Sequence, residues 1–112
     1  MLQDFFIGFV KMHILHHAAQ EPIYGLAMMA ELKRHGYDIS PGTLYPLLHQ
    51  METARYLVRE DRVVNGKVRK YYRATERGQQ MLIEARLKIA ELVGEVVEGQ
   101  GPTSIGDIAE RE

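Results

Sequence analysis

The sequence predicts a mainly α-helical fold with a β-hairpin wing: a winged helix-turn-helix plus N- and C-terminal dimerisation helices. Two observations predict it. Two short apolar-periodic segments joined by a tight turn indicate a helix-turn-helix over 24–54. Two β-rich runs then flank Asn65-Gly66, the dipeptide preferred in two-residue hairpin turns. With 112 residues and no cysteine, the chain is expected to form a single domain over 1–98 without disulfides.

The first predicted helix spans 2–19. Its large apolar residues fall on several faces, so it needs more than one packing partner. Asp4 and Lys11 interrupt the apolar run, which is shorter than the ~20 residues of a membrane span, and no signal-peptide pattern precedes it. We therefore expect a soluble, cytoplasmic protein with no membrane partner.

The second helix of the helix-turn-helix begins after Ser40. A serine at this position caps a helix with its hydroxyl, and Pro41 suits the first helical turn. Four large apolar residues at helical spacing predict a packed face: Leu44, Leu47, Leu48 and Met51. The opposite face is polar but uncharged, which indicates a contact surface rather than a merely solvated one.

The wing is predicted over 56–74. Pairing outward from the Asn-Gly turn sets Val63 opposite Val68 and Asp61 opposite Lys70, an oppositely charged cross-strand pair. The net charge of the chain is only −1. However, residues 55–73 contain seven basic and two acidic residues, whereas those after Gly78 contain three basic and seven acidic ones. Local charge governs attraction to phosphate, because fields decay over about 8–10 Å in physiological salt.

The last predicted helix spans 75–98, with Thr75 as its cap and Glu76 in its first turn. It carries two neighbouring apolar stripes, one of them a short heptad seam. Such a helix has more apolar surface than a small domain covers, so we expect a homodimer. Residues 99–112 are rich in glycine and polar residues and are expected to form a flexible tail.

Three blocks of sequence carry a resemblance to a known family. "YGLAMMAEL", "ISPGTLYPLLHQME" and "RKYYRATERG" resemble, in order and spacing, the recurring blocks of the PadR-like transcriptional regulators. The resemblance implies a dimeric winged-helix repressor of the short type, with a single C-terminal helix, that binds operator DNA; some relatives respond to small aromatic ligands. Arg55 stands where relatives often have glycine, so either it is left-handed or the helix exit differs. The absence of tryptophan excludes an indole-lined ligand pocket.

The candidate site residues form two groups. The expected DNA contacts are Tyr24, Ser40, Pro41, Gly42, Thr43, Tyr45, His49, Gln50, Lys67, Arg69, Lys70 and Tyr72. One of the adjacent pair Tyr71 and Tyr72 is expected to face the core. The expected dimer interface comprises Phe5, Phe9, Met12, Leu82, Ala85, Ile89, Leu92, Val93 and Val96. A central gap between the dimer helices, lined by Phe5, Phe9, Ile89 and Val93, is the expected place for a small hydrophobic effector.

Catalytic and metal sites have little support. No catalytic triad, phosphate-binding loop or carboxylate pair is recognisable, so no enzyme activity and no cofactor are expected. His13 and His17 stand at i, i+4, a spacing that binds zinc, but core or interface histidines are commoner and no metal is predicted. His35 and His49 add no recognisable ligand spacing.

The predicted function is sequence-specific DNA binding by a homodimeric repressor that a small hydrophobic effector relieves. The alternative is a winged-helix module for protein interaction, with the basic wing binding an acidic partner. Salt-sensitive binding that prefers one duplex over random DNA separates the two functions.

Overall fold

The computed structural model describes residues 2–99 and 105–106. Its elements are α1 (Leu2–Gln20), β1 (Ile23–Tyr24), α2 (Gly25–Arg34), α3 (Pro41–Thr53), β2 (Leu57–Val64), β3 (Lys67–Ala74), α4 (Glu76–Leu92) and a π-helical segment (Val93–Val97). This confirms the predicted mainly helical fold with a wing. The chain divides into two compact units, Met1–Leu82 and Ile83–Glu112, and the boundary falls within α4. Within the described ranges, no helix combines the length and hydropathy that a membrane span requires.

The core of the first unit joins α1, α2, α3 and the sheet. Its most deeply buried large side chains are Ile14, Leu15, Met28, Leu32, Leu44, Leu48 and Leu57. The predicted packed face of α3 is confirmed, with Leu44, Leu48 and Met51 buried and Leu47 half-buried. This packing fixes the opposite face of α3 toward solvent.

The sheet has three antiparallel strands in the order β1-β3-β2. The hairpin register is as predicted: Val63 pairs with Val68 and Asp61 with Lys70. However, the predicted charge pair between Asp61 and Lys70 does not form. The carboxylate of Asp61 instead lies 3.3 Å from Nε of Arg59, two residues earlier on the same strand. Lys70 therefore keeps its charge available at the hairpin.

The turn and the extra strand complete the wing. Asn65 and Gly66 have φ values of 52° and 76°, the left-handed pair that a type I′ turn requires. Strand β1 was not predicted; Ile23 pairs with Tyr72 and Tyr24 with Tyr71. Two residues are too few to show a periodicity, and β3 supplies their partners from far along the chain.

Two helix starts differ in how they are capped. The prediction that the Ser40 hydroxyl caps α3 is wrong: Oγ lies 3.3 Å from Thr43 Oγ1 and accepts no backbone N–H. The Ser40 carbonyl instead accepts the N–H groups of Thr43 and Leu44. The predicted cap of α4 is confirmed, because Thr75 Oγ1 accepts the Gly78 N–H at 3.0 Å.

The exit of α3 explains the unusual arginine. Arg55 is left-handed, with φ 66°, which confirms the first of the two predicted alternatives. Its N–H bonds to Glu52 O and the N–H of Tyr56 bonds to Met51 O, the two bonds of a Schellman motif. The Thr75 hydroxyl donates to Arg55 O at 2.5 Å, so the start of α4 holds this conformation.

In the second unit, α4 ends at Leu92 and a π-helical turn follows, closed by the Glu98 N–H bonding to Val93 O. The predicted regular α-helix over 75–98 is therefore wrong in its last turn. The wider turn changes the side-chain spacing, so the heptad seam does not continue regularly through Val96. Of the predicted tail over 99–112, residues 100–104 and 107–112 lie outside the described residues.

Candidate nucleic-acid interface

The first turn of α3 is an exposed, uncharged surface. Ser40, Pro41, Gly42 and Thr43 are all exposed. A Cβ added to Gly42 would meet only Ser40 Oγ, at 3.8 Å, so packing within the protein does not require glycine there. Pro41 has no N–H, and the N–H groups of Thr43 and Leu44 bond to Ser40 O. The N–H of Gly42 is therefore the donor that this turn can offer to an anion, and the bare glycine lets a phosphate approach it.

Tyr45 occupies the next turn of α3 and contacts α2. Its ring packs on Gly25, where an added Cβ would lie 2.6 Å from the phenol oxygen. The side chain remains 38% exposed. The absence of a side chain at Gly25 therefore determines where the Tyr45 ring lies on the exposed face.

An open cavity of about 270 Å³ joins α3 to the wing. It is lined by Tyr24, Gly25, Leu26, Tyr45, Val68, Arg69 and Lys70. Four predicted DNA contacts, from β1, α3 and β3, thus surround one concave surface. In winged-helix proteins a helix of this kind enters a duplex groove while neighbouring elements contact the flanking phosphates.

The outer face of the wing carries two arginines directly opposite each other. Arg62 pairs in register with Arg69, and like charges in this position repel. Each guanidinium lies over a tyrosine ring: Arg62 is 4.4 Å from the Tyr71 centroid and Arg69 is 4.8 Å from that of Tyr24. Arg62 was missed from the sequence, although the register set by the Asn-Gly turn places it opposite Arg69.

The remaining wing lysines lie on different faces. Lys67 is exposed beside the hairpin turn and shares the outer face with Arg69, since side chains alternate along a strand. Lys70 lies on the other face of the strand, and it also lines the cavity. The positive charge of the wing is therefore distributed around the hairpin rather than along one edge.

Three of the predicted DNA contacts are Tyr72, His49 and Gln50, and the prediction for Tyr72 is wrong. Tyr72 is only 4% exposed and belongs to the core, where burial raises the pKa of its phenol, with the charge of Glu52 adding to the effect. Tyr71 is the tyrosine on the outer face. His49 is exposed, with Nδ1 3.9 Å from Glu52 Oε1. Gln50 is also exposed but borders a separate cavity with Lys11 and Met12 of α1.

The predicted dimer residues fall into exposed and buried sets. Phe5 and Phe9 of α1 are 51% and 52% exposed, and Met12 is half-buried. Leu82 is buried in the core of the first unit, so its assignment to an intermolecular interface is wrong. Within the second unit, Ala85 is half-buried and the exposed apolar residues include Ile89, Leu92, Val93 and Val96.

Comparison with known proteins identifies the family. The model of the transcriptional regulator PadR-like family matches residues 14–84. The chain is 48% identical over 103 residues to transcriptional regulator Rv3488 of Mycobacterium tuberculosis, covering 92% of this chain and 96% of that one. A PadR-family regulator from Eggerthella lenta has 33% identity and a TM-score of 0.73, covering 89% and 91% of the two chains. A PadR-like regulator from Bacillus cereus has 30% identity and a TM-score of 0.75, covering 85% and 95%. The chain belongs to the PadR-like family of transcriptional regulators, whose members bind DNA.

Proposed function

We propose that this protein is a homodimeric repressor that reads an operator with α3 and holds its phosphates with the wing. The observation that carries the proposal is the continuous surface formed by the exposed face of α3, the cavity beside Tyr45, and the paired arginines of the wing. In the proposed dock, two α3 helices enter major grooves about 34–36 Å apart.

Electrostatics support phosphate binding at the wing. Arg62 and Arg69 stand opposite each other. Among the described residues, a carboxylate pairs with Arg62 alone of these two: Glu60 Oε2 lies 3.1 Å from its Nη2. A phosphate between the two guanidinium groups would reduce their mutual repulsion and accept hydrogen bonds from both. A tyrosine ring lies beneath each guanidinium and helps to position it.

Exposed apolar residues support a dimer. Phe5 and Phe9 expose half of their surface on α1, and the second unit exposes a series of large aliphatic residues: Ile83, Leu87, Ile89, Leu92, Val93, Val96 and Val97. Clustered apolar surface of this kind marks protein interfaces. A second copy is the proposed partner because a two-fold dimer presents two α3 helices to the two half-sites of an operator.

The decisive experiment selects duplexes from a random pool and measures the affinity of the best one against a scrambled duplex. We expect specific binding at least about 10³-fold tighter than to scrambled DNA, with log affinity falling steeply as salt rises. Equal, weak binding to both duplexes together with binding to acidic polypeptides would instead favour the protein-interaction module. Light scattering at micromolar concentration should give the mass of a dimer.

The proposed control of repression is a flat hydrophobic effector. The half-exposed aromatic rings of Phe5 and Phe9 support it, because they offer a stacking surface. A panel of planar aromatics, scored by melting temperature and operator affinity, should include compounds that raise the first and lower the second. If no compound changes either quantity, the effector role is wrong, while DNA binding is unaffected by that result.

A further inference from the structure

Three histidines meet where α1 lies against the end of α2. His13 and His17 are one turn apart on α1, and His35 follows the last residue of α2. One ring nitrogen from each lies within 4.8 Å of the other two. The sequence spacing indicated only the first two, because packing of α2 on α1 is what brings the third beside them.

One ring nitrogen of the cluster is buried without a hydrogen bond. Nε2 of His17 is buried yet makes no hydrogen bond within the described part of the chain, an arrangement that is uncommon and normally has a specific role. The rings of His13 and His35 stack with centroids 4.6 Å apart. Stacking uses the faces of the rings and leaves their in-plane nitrogens for other contacts, and Nε2 of His35 contacts the carboxylate of Glu31.

The carboxylate of Glu31 lies beside the three histidines. Oε1 of Glu31 lies 3.1 Å from Nε2 of His35 and 3.5 Å from Nε2 of His17. Arg34 holds this carboxylate through two hydrogen bonds of 2.6 and 3.1 Å, which together with its charge lower the pKa of Glu31 to about 2. Glu31 therefore stays ionised and places a negative charge beside the three rings.

Burial lowers the pKa of two histidines of the cluster, His13 and His17. Burial lowers the pKa of His13, and the neighbouring His35 lowers it further. Burial also lowers the pKa of His17, against the opposing effect of Glu31. Neutral imidazole is the form that binds a metal ion.

We propose that His13, His17 and His35 form a binding site for a divalent transition-metal ion, with Zn²⁺ as the preferred ion. Imidazole is a good ligand for borderline cations, and three histidines with an open fourth position are a common zinc arrangement. In a tetrahedral site with Zn–N bonds of about 2.0–2.1 Å, ligand nitrogens stand ~3.3 Å apart. The ring nitrogens now lie within 4.8 Å of one another, so binding requires a side chain to move, and His35 is the exposed one of the three.

The position of the site gives it a structural consequence. His35 begins the turn that leads from α2 to α3, while His13 and His17 lie in the middle of α1. A bound ion would tie the N-terminal helix to the helix-turn-helix. It would thereby stabilise the folded first unit, because the three ligands are brought together only when the chain is folded.

The test titrates Zn²⁺ into the full chain prepared without a histidine tag, by calorimetry, with Co²⁺ absorption as a second readout. We expect one ion per chain, a higher melting temperature with Zn²⁺, and visible Co²⁺ bands typical of a tetrahedral site. His35→Gln, at an exposed position that tolerates substitution, should lower the affinity at least tenfold. His16→Gln is the matched control, because His16 is on the same helix but hydrogen-bonds Gln20 instead.

Two further variants examine the details. Glu31→Gln should weaken binding by about 10–100-fold, as loss of a neighbouring carboxylate does in other metal sites. His17→Gln should abolish the Co²⁺ bands while circular dichroism shows an intact fold. The proposal is wrong if the wild type binds no Zn²⁺ at millimolar concentration, or if His16→Gln weakens binding as much as His35→Gln.

Discussion

The ring of Tyr45 in α3 rests on the backbone of Gly25, the first residue of α2. An added Cβ at Gly25 would lie 2.6 to 2.8 Å from three atoms of that ring. The contact fixes the position of an aromatic side chain on the exposed face of α3 and joins α3 to the end of β1. Its main effect is expected on DNA binding rather than on folding, because the clashing atoms are at the free end of the tyrosine.

Gly25→Ala should therefore displace the Tyr45 ring and weaken operator binding about tenfold, while the free energy of unfolding falls by no more than ~1 kcal/mol. Operator affinity and urea unfolding measure the two effects. In a double-mutant cycle, Gly25→Ala should have no further effect on affinity once Tyr45 is replaced by alanine. Full additivity of the two substitutions would show that the ring is not the route of the effect.

Gly78 meets a rigid neighbour instead. An added Cβ would overlap the backbone carbonyl of Tyr56, and neither backbone can move away cheaply. Gly78→Ala should lower the free energy of unfolding by about 1–3 kcal/mol or prevent folding. Gly42→Ala is the matched control: its Cβ is unobstructed, so stability should hold or rise slightly, whereas operator affinity should fall. Equal unfolding curves for the two variants would contradict this account of the α4 start.

Arg55 carries backbone strain at the exit of α3. Because φ is 66° there, Arg55→Gly should raise the free energy of unfolding by about 0.5–1 kcal/mol, the relief of left-handed strain less the added freedom of the unfolded chain. Ala54→Gly, at a right-handed position next to it, should lower stability by a similar amount. Chemical unfolding of both variants checks the prediction, and a loss of stability in Arg55→Gly would refute it.

The proposed dimer predicts a charge-sensitive position in the second unit. Leu92 exposes 60% of its surface at the end of α4, so Leu92→Asp should leave the chain folded but place an unpaired charge in the intermolecular interface. Light scattering should then give a monomer. Lys88→Asp, which replaces one exposed charge by another, should remain dimeric. A dimeric Leu92→Asp protein would exclude this surface as the interface.

Local chemistry made much of the wing predictable. The Asn-Gly turn fixes the register of β2 and β3, because both residues accept left-handed φ and every later pair follows by counting. The cap at Thr75 and the apolar face of α3 are equally local signals. The sequence could thus identify the helix-turn-helix, the hairpin and most of the exposed α3 residues.

Features made by distant segments escaped prediction. Strand β1 exists because β3 supplies its hydrogen-bond partners, and His35 joins His13 only through helix packing. The sequence left open which of Tyr71 and Tyr72 faces the core for the same reason. Tyr72 is buried because its face of the sheet packs on the core. The Ser40 hydroxyl contacts the Thr43 hydroxyl rather than a backbone N–H. This contact depends on the side-chain rotamer of Ser40, which sequence spacing alone does not determine.

The central claim is that α3 reads sequence while the wing binds phosphate, and two substitutions distinguish these roles. Lys67 is exposed at the hairpin tip, and His49 is 79% exposed at its side chain on α3, so neither change should disturb folding. Lys67→Ala should weaken operator and scrambled duplexes equally and reduce the slope of log affinity against log salt by about one unit per chain. Lys88→Ala, on α4, should change neither quantity.

The most direct measurement is therefore the affinity of both variants for operator and scrambled duplexes across a salt series. His49→Ala should lose about 1–3 kcal/mol on the operator, keep its affinity for scrambled DNA, and leave the salt slope unchanged. The contrary result is an exchange of roles, in which Lys67→Ala alters sequence preference and His49→Ala changes only the salt slope. That result would contradict the docking of α3 in the major groove with the wing along the phosphates.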